Sequence, residues 1–218
     1  MSQDDAFEVT FWGVRGSIAC PGESYVRFGG NTSCVSMRCG GRLLIFDAGT
    51  GLRPLGNALA PEDRCDVDIF LTHTHFDHIV GLPFFQPIFR KGNKVRLWAG
   101  HLDSETTLHQ VLCEFMMAPL FPIPPAIFGA DVDYLDFEAG EELQPAEGIR
   151  VSTVALNHPN GATGYRVDFA GRSACYVTDT EHSEDGRDQN IVGLVEGTDL
   201  MIYDSSYTDA EYPRYRNW

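Results

Sequence analysis

The chain has 218 residues, of which 43% are hydrophobic, and this suits a single globular domain with a sizeable core. No apolar stretch reaches the roughly 20 residues that a bilayer span requires. The acidic residues 1–5 are unlike a secretory signal, so we expect a cytoplasmic protein with no membrane partner. The formal net charge of −15 disfavours a large nucleic acid as partner, because such a partner is attracted by a basic surface.

The first predicted elements are short strands separated by glycine-rich turns. Alternating residues 7–11 predict an edge strand, and residues 35–37 and 42–46 predict a hairpin around Gly40 and Gly41. Asp47 follows directly at a strand end, where a carboxylate can orient a metal-binding imidazole. Residues 52–59 predict a short helix that is closed by Pro61.

The most informative stretch follows the next strand, which we predict over residues 67–71. Directly after it come His73, His75, Asp77 and His78. His73 and His75 share a face by the period of two of an extended chain. Imidazoles and a carboxylate packed so closely are typical ligands of a divalent ion, and zinc is the leading candidate.

The middle of the chain predicts a helix beginning in residues 79–85, a strand over 95–99 and a helix over 106–117. His101, just beyond the strand, is interpreted as a structural residue. Residues 118–128 contain four prolines among apolar residues, which excludes regular structure there. Two interpretations stay open for residues 103–130, which we treat as a lid-like insertion within one domain over 1–218: a packed loop, or a hydrophobic lid or dimer surface.

The last part of the chain predicts further short strands, and two of them end in residues that can bind a metal. These strands cover residues 134–137, 149–156, 164–169, 174–177 and 200–203. His158 follows the second of them, and Asp179 follows the fourth. The six cysteines show no C-x-x-C pair and are expected to be free thiols.

The run His73, His75, Asp77, His78 matches the signature H-x-H-x-D-H, and the chain therefore resembles the metallo-β-lactamase superfamily. Residues 11–17, 29–34 and 44–51 resemble the opening strands of its phosphodiesterase and ribonuclease Z-like branch. The resemblance implies an α/β (α+β) fold, a four-layer αββα sandwich of two mixed sheets.

The resemblance also implies a metal centre with two Zn²⁺ ions, with Mn²⁺ or Fe²⁺ as alternatives. One ion is expected on His73, His75 and His158. A second is expected on Asp77 and His78, with Asp179 bridging the two.

The family supplies a final histidine to the second ion in a turn beyond the strand that ends near Asp204, and here the chain stops at Trp218. We expect a C-terminally incomplete domain that lacks its last strand and helix. The alternatives are that His182 or a neighbouring chain replaces that ligand. His182 is also a candidate catalytic proton donor, or else an exposed loop histidine.

The function implied is hydrolysis of a phosphodiester in a small molecule, most simply a cyclic nucleotide or cyclic phosphate, by a metal-held hydroxide. Asp77 would be the catalytic residue that holds ion and nucleophile. Three alternatives stay open: a ribonuclease Z-like endoribonuclease using the basic residues 90–96, a thioester or lactone hydrolase, and a non-catalytic metal-binding sensor. A homodimer is also left open by the sequence.

Overall fold

Two mixed β-sheets form the frame of the chain, and the structure, a computed structural model, describes residues 5–59, 64–182, 186–208 and 210–214. The six strands of the first sheet are β1 (Phe7–Gly13), β2 (Cys34–Cys39), β3 (Arg42–Phe46), β4 (Asp66–Leu71), β5 (Lys94–Ala99) and β6 (Asp131–Asp136). They lie in sequential order. The first two pairings are antiparallel, and the other three are parallel.

The second sheet has five strands. They are β7 (Glu142–Ala146), β8 (Ile149–Leu156), β9 (Ala162–Phe169), β10 (Arg172–Val177) and β11 (Leu200–Tyr203). The strand order is β11-β10-β9-β8-β7. Only the pairing of β10 with β11 is parallel, so this sheet is mixed as well.

Four α-helices lie in the described part of the chain. They are α1 (Leu52–Ala58), α2 (Phe76–Ile79), α3 (Leu108–Phe115) and α4 (Gln189–Val195). None of these helices is long and apolar enough to span a membrane.

The buried side chains define four layers. Strand β4 is an example, because its side chains enter two different cores. Ile69 and Leu71 pack into the core that α1 and α3 cover, whereas Phe70 faces the second sheet. Because side chains of a strand alternate between faces, one strand serves two cores. On the far side of the second sheet, Ile191 and Leu194 of α4 pack against it. The predicted αββα sandwich of two mixed sheets is confirmed.

The directions of the strands bring the ends of four strands, β3, β4, β8 and β10, to one side of the molecule. β3 and β4 are parallel, so the residues that follow them, Asp47 and Thr72, leave the first sheet at one edge. β8 and β10 both run antiparallel to β9, so the segments with His158 and Asp179 leave the second sheet at one edge. A polar site can therefore be assembled from four strand ends.

One predicted element differs from the structure, and two elements of the structure were not predicted. The helix expected within residues 79–85 is instead the short α2 followed by 3-10 turns at Leu82–Phe84 and Gln86–Phe89, because Pro83 and Pro87 remove the amide donors that a continuing helix needs. β7 and α4 were not predicted. The helix expected at 52–59 is present, and Pro61 lies outside the described residues. All six cysteines are free, as expected.

Candidate metal centre

The histidine-rich stretch lies where β4 leaves the first sheet. His75 has an extended backbone and is the N-cap of α2, and α2 then turns Asp77 and His78 back toward the strand end. His73 is only 1% exposed. Its ring centroid lies 4.5 Å from that of His75 and 4.2 Å from that of His78. The turn thus brings three imidazoles into contact.

His73 presents an unshared nitrogen to this cluster. Thr72 Oγ1 lies 2.9 Å from Asp47 Oδ1 and 3.0 Å from His73 Nδ1. The carboxylate only accepts, so the hydroxyl donates to Asp47 and accepts from Nδ1–H of His73. Nε2 of His73 is then a lone pair, and it has no hydrogen-bond partner among the residues that the structure describes. A buried acceptor without a partner is costly, and a metal ion is the partner that would satisfy it.

The first donor group consists of His73, His75 and His158, whose nitrogens all lie within 4.8 Å of one another. His158 Nε2 is 3.0 Å from His75 Nδ1. Burial lowers the pKa of His73 far below its usual range, and the neighbouring His78 lowers it further. Burial also lowers the pKa of His158. Neutral imidazoles are the form that binds metal.

The second donor group is His78 and Asp179, together with the same His73. His78 Nε2 lies 2.7 Å from Asp179 Oδ2 and 3.5 Å from Asp77 Oδ2. Burial alone would raise the pKa of Asp179, but the hydrogen bond and charge of His78 lower it to about 2. Burial alone would lower the pKa of His78, but Asp47 and the other two carboxylates raise it well above its usual range.

Asp47 accepts a hydrogen bond from the histidine of this second donor group. It is fully buried, and its Oδ2 lies 2.8 Å from His78 Nδ1. The predicted contact between Asp47 and a candidate ligand is therefore present. Because Nδ1–H donates to the carboxylate, Nε2 is the nitrogen left for a metal. The donor set, its burial and its hydrogen bonds fit a zinc-type centre.

The cluster forms the floor of a cavity of 330 Å³. Seven of the eight other residues that line it carry a hydroxyl or a carboxyl group. The lining residues besides the candidate ligands are Gly16, Ser17, Thr180, Glu181, Asp204, Ser206, Tyr207 and Tyr212. None of the described lining residues is a lysine or an arginine.

Two histidines considered in the sequence lie elsewhere. His182 is exposed and stacks on Tyr203 with ring centroids 6.0 Å apart. It belongs to neither donor group and is absent from the described cavity wall, so the structure does not bring it to the candidate ligands. His101 lies behind the cluster, with Nε2 3.1 Å from Thr74 Oγ1, which agrees with its interpretation as structural.

Three residues of the site were missed in the sequence: Ser17, Thr72 and Tyr176. The Ser17 amide donates to Asp77 Oδ2 at 2.7 Å, and the Tyr176 hydroxyl donates to Asp47 Oδ2 at 3.0 Å. Both contacts join segments far apart in the chain. A weak signal existed only for Thr72, which directly precedes the histidines.

A larger concavity of 530 Å³ lies at the opposite end of the second sheet. Its arginines are engaged with carboxylates: Arg166 Nε lies 3.2 Å from Asp168 and Arg172 lies 3.5 Å from Asp199. No histidine lines it among the described residues. The reactive groups are in the smaller cavity.

Comparisons with known proteins identify the family of the chain. A family model described as a beta-lactamase superfamily domain matches residues 42–217. Subunit 3-I of the cleavage and polyadenylation specificity factor of Arabidopsis thaliana is 25% identical over 166 residues, 70% of this chain and 23% of that protein. Ribonuclease Z of Gemmatimonas aurantiaca is 27% identical over 143 residues, 62% of this chain and 41% of that protein. The chain thus spans less than half the length of either relative.

Among solved structures, the short form of human tRNase Z is similar with a TM-score of 0.67. The two share 21% sequence identity over 94% of this chain and 81% of that one. At this identity, the likeness shows a common fold.

Proposed function

The chain belongs to the protein family described as a beta-lactamase superfamily domain, and we propose that it is a metal-dependent hydrolase. Its substrate would be a small phosphodiester, such as a cyclic nucleotide or another cyclic phosphate. One observation carries the proposal. The buried Nε2 of His73 has no partner among the described residues, and His73 belongs to both donor groups, in each of which the ligand atoms lie within 4.8 Å of one another. A buried lone pair amid other ligand atoms is what a metal-binding imidazole requires.

In our proposal His73, His75 and His158 would hold one ion. Asp77 and His78 would hold a second, with Asp179 shared between them. Zinc is the proposed metal because imidazole with carboxylate is a typical zinc environment. An ion held there supplies a Lewis acid and brings the pKa of water toward neutrality.

Asp77 is the group that we assign to orient the attacking water. Burial alone would raise its pKa, but the hydrogen bond and charge of His78 and the amide of Ser17 lower it. The carboxylate is therefore ionised at neutral pH and can accept a hydrogen bond. Since His182 lies outside the described wall, we assign protonation of the leaving oxygen to water.

The residues that line the cavity favour a small and polar substrate. Beyond the candidate ligands, hydroxyls such as those of Ser17 and Thr180 and the carboxylates of Glu181 and Asp204 line it. Several carboxylates oppose a substrate that carries many negative charges. A phosphodiester carries one, which suits this wall better than a phosphomonoester or a polyphosphate.

A second candidate is an endoribonuclease, favoured by the ribonuclease Z relative. Such an enzyme would need cationic side chains for RNA, and residues 90–96 are the basic run of the chain. Within it, Lys94 Nζ lies 2.7 Å from both Asp131 and Asp133. Arg96 lies 2.6 Å from Asp66. Two of the four cations in this run are thus compensated, which leaves only Arg90 and Lys91, so we favour the small substrate.

The experiment compares substrates directly. Purified protein would be given bis-p-nitrophenyl phosphate, cyclic AMP, a thioester, a lactone and a precursor transfer RNA, each with and without a chelator. We expect both diesters to be cleaved and the chelator to abolish cleavage.

Two variants sharpen this comparison. His75→Gln should abolish diester cleavage, whereas His109→Gln, at an exposed position on α3, should leave it unchanged. Cleavage of the carbon esters alone would refute the phosphodiesterase. Cleavage of RNA alone would favour the endoribonuclease.

A further inference from the structure

A tyrosine of the second sheet contacts the carboxylate behind the metal centre. Tyr176 lies on β10 and is 4% exposed, and its hydroxyl donates to Asp47 Oδ2 at 3.0 Å. Asp47 directly follows β3 of the first sheet, 129 residues earlier in the chain. The hydrogen bond therefore crosses the interface between the two sheets.

The Asp47 carboxylate has as many donors as it can accept. Oδ1 accepts from the amide and hydroxyl of Thr72 at 2.8 and 2.9 Å, and the same hydroxyl lies 3.0 Å from Oδ2. Oδ2 accepts from His78 Nδ1 at 2.8 Å and from Tyr176. A carboxylate offers about four acceptor sites, so these four donors fill it. Without the phenol, one acceptor site of a fully buried carboxylate would be empty.

The same strand acts on both nitrogens of His78. Three residues beyond Tyr176, Asp179 presents Oδ2 at 2.7 Å from His78 Nε2. On the other side of the ring, Tyr176 fixes the carboxylate that accepts from Nδ1. β10 and the residues directly after it thus act on both sides of the His78 imidazole, which α2 carries beyond the end of β4.

We propose that Tyr176 is a positioning residue of the metal centre: its hydroxyl fixes the Asp47 carboxylate and, through it, the tautomer and direction of His78, so that the ligands from the two sheets meet at one point. This role rests on the proposed metal centre and does not depend on which bond is hydrolysed.

The chain offers a matched control in Tyr165. This tyrosine is also fully buried, lies on the neighbouring strand β9, and packs against the same ring of Phe46, at 5.4 Å compared with 5.9 Å for Tyr176. Its hydroxyl also crosses to the first sheet, but it donates to the carbonyl of Leu71 at 2.6 Å. Tyr165→Phe therefore removes a comparable hydrogen bond that does not reach the Asp47 carboxylate.

The test is titration of the metal-free chain with Co²⁺, followed by visible absorption, for wild type, Tyr176→Phe and Tyr165→Phe. Partners that orient a metal ligand are typically worth about 10- to 100-fold in metal affinity. We expect Tyr176→Phe to weaken cobalt binding by at least about tenfold and to change the absorption spectrum. Tyr165→Phe should keep the affinity and spectrum of wild type.

A second measurement needs no metal. Nitrogen-15 NMR of the imidazoles should show a protected Nδ1–H on His78 in wild type and in Tyr165→Phe, and exchange of that proton should be faster in Tyr176→Phe.

Wild-type binding by Tyr176→Phe, or equal weakening in both variants, would overturn the proposal. A wild-type chain that binds no cobalt would overturn the metal centre and this role with it. Loss of the phosphodiesterase assignment alone would leave the titration, and the role of Tyr176, unaffected.

Discussion

The backbone amide of Ser17 lies 2.7 Å from Oδ2 of Asp77, a contact that joins residues 60 positions apart in the chain. Ser17 has a φ of 64°, a conformation that costs a non-glycine residue energy. The contact connects the loop between β1 and β2 to the residue that we assign to orient water. The donor is the backbone, so this function does not depend on the serine side chain.

Ser17→Pro should weaken binding of the ion assigned to Asp77, because proline has no amide and cannot adopt a positive φ. Ser17→Gly keeps the amide and relieves the backbone, so it should bind metal as wild type does. Calorimetric titration with Zn²⁺ measures both, and a loss of about tenfold is expected for the proline variant. Equal affinities in the two variants would show that the amide does not support Asp77.

Asp77→Asn should lower diester turnover by about 100-fold or more, the range in which a proton-accepting group contributes to catalysis. The amide is neutral and cannot replace the ionised carboxylate. The Asp77 side chain is partly exposed, so the unfolding temperature should change little. Asp103→Asn, at an exposed loop carboxylate, is the control. Turnover at the wild-type rate in Asp77→Asn would contradict the assigned role.

Asp68→Ala should destabilise the fold without affecting the metal centre. Asp68 is fully buried between the sheets, where it accepts from Trp98 Nε1 at 3.0 Å and pairs with Arg42. The alanine leaves Trp98 Nε1 without its acceptor and Arg42 with only Asp66, 2.9 Å away, which costs about 1–3 kcal/mol. Urea unfolding measures this loss, and zinc titration serves as the control. A loss well under 1 kcal/mol would show that solvent compensates Arg42.

We expect His101 to make the folded chain less stable in acid. Burial, and then the neighbouring His75, lower its pKa to about 4, whereas an unfolded histidine titrates near about 6.5. Between these values the unfolded chain binds the extra proton, so stability falls as pH drops from about 6.5 to 4 and is not lost further below that range. The contribution is up to about 3 kcal/mol.

The check is urea unfolding of the metal-free chain between pH 7 and 4, for wild type and His101→Gln. Glutamine can keep a hydrogen bond to Thr74 but does not titrate. Wild type should lose more stability than the variant over this interval, and parallel curves would show that His101 does not titrate as described.

The sequence predicted the parts of the molecule that depend on local pattern. Strands such as β4 carry apolar residues on both faces, and the H-x-H-x-D-H run gathers four donor residues within one turn of chain. His158 and Asp179 were assigned with the help of the family resemblance. The structure brings both to the cluster, although their role as ligands stays a prediction.

What the sequence did not predict depends on contacts between distant segments or on weak local signals. Nothing near Ser17 or Tyr176 indicates Asp77 or Asp47 as a partner. α4 buries only Ile191 and Leu194, too short a pattern to recognise as a helix. β7 contains Pro145, which argues against a strand interior and is tolerated here because β7 is at the edge of its sheet.

The most direct test of the metal centre is the zinc content per chain, measured by elemental analysis after dialysis, for wild type and His73→Gln. His73 belongs to both donor groups, so we expect at least one tightly held ion in wild type and almost none in the variant. A wild-type chain without metal, or a His73→Gln chain that keeps it, would contradict the account.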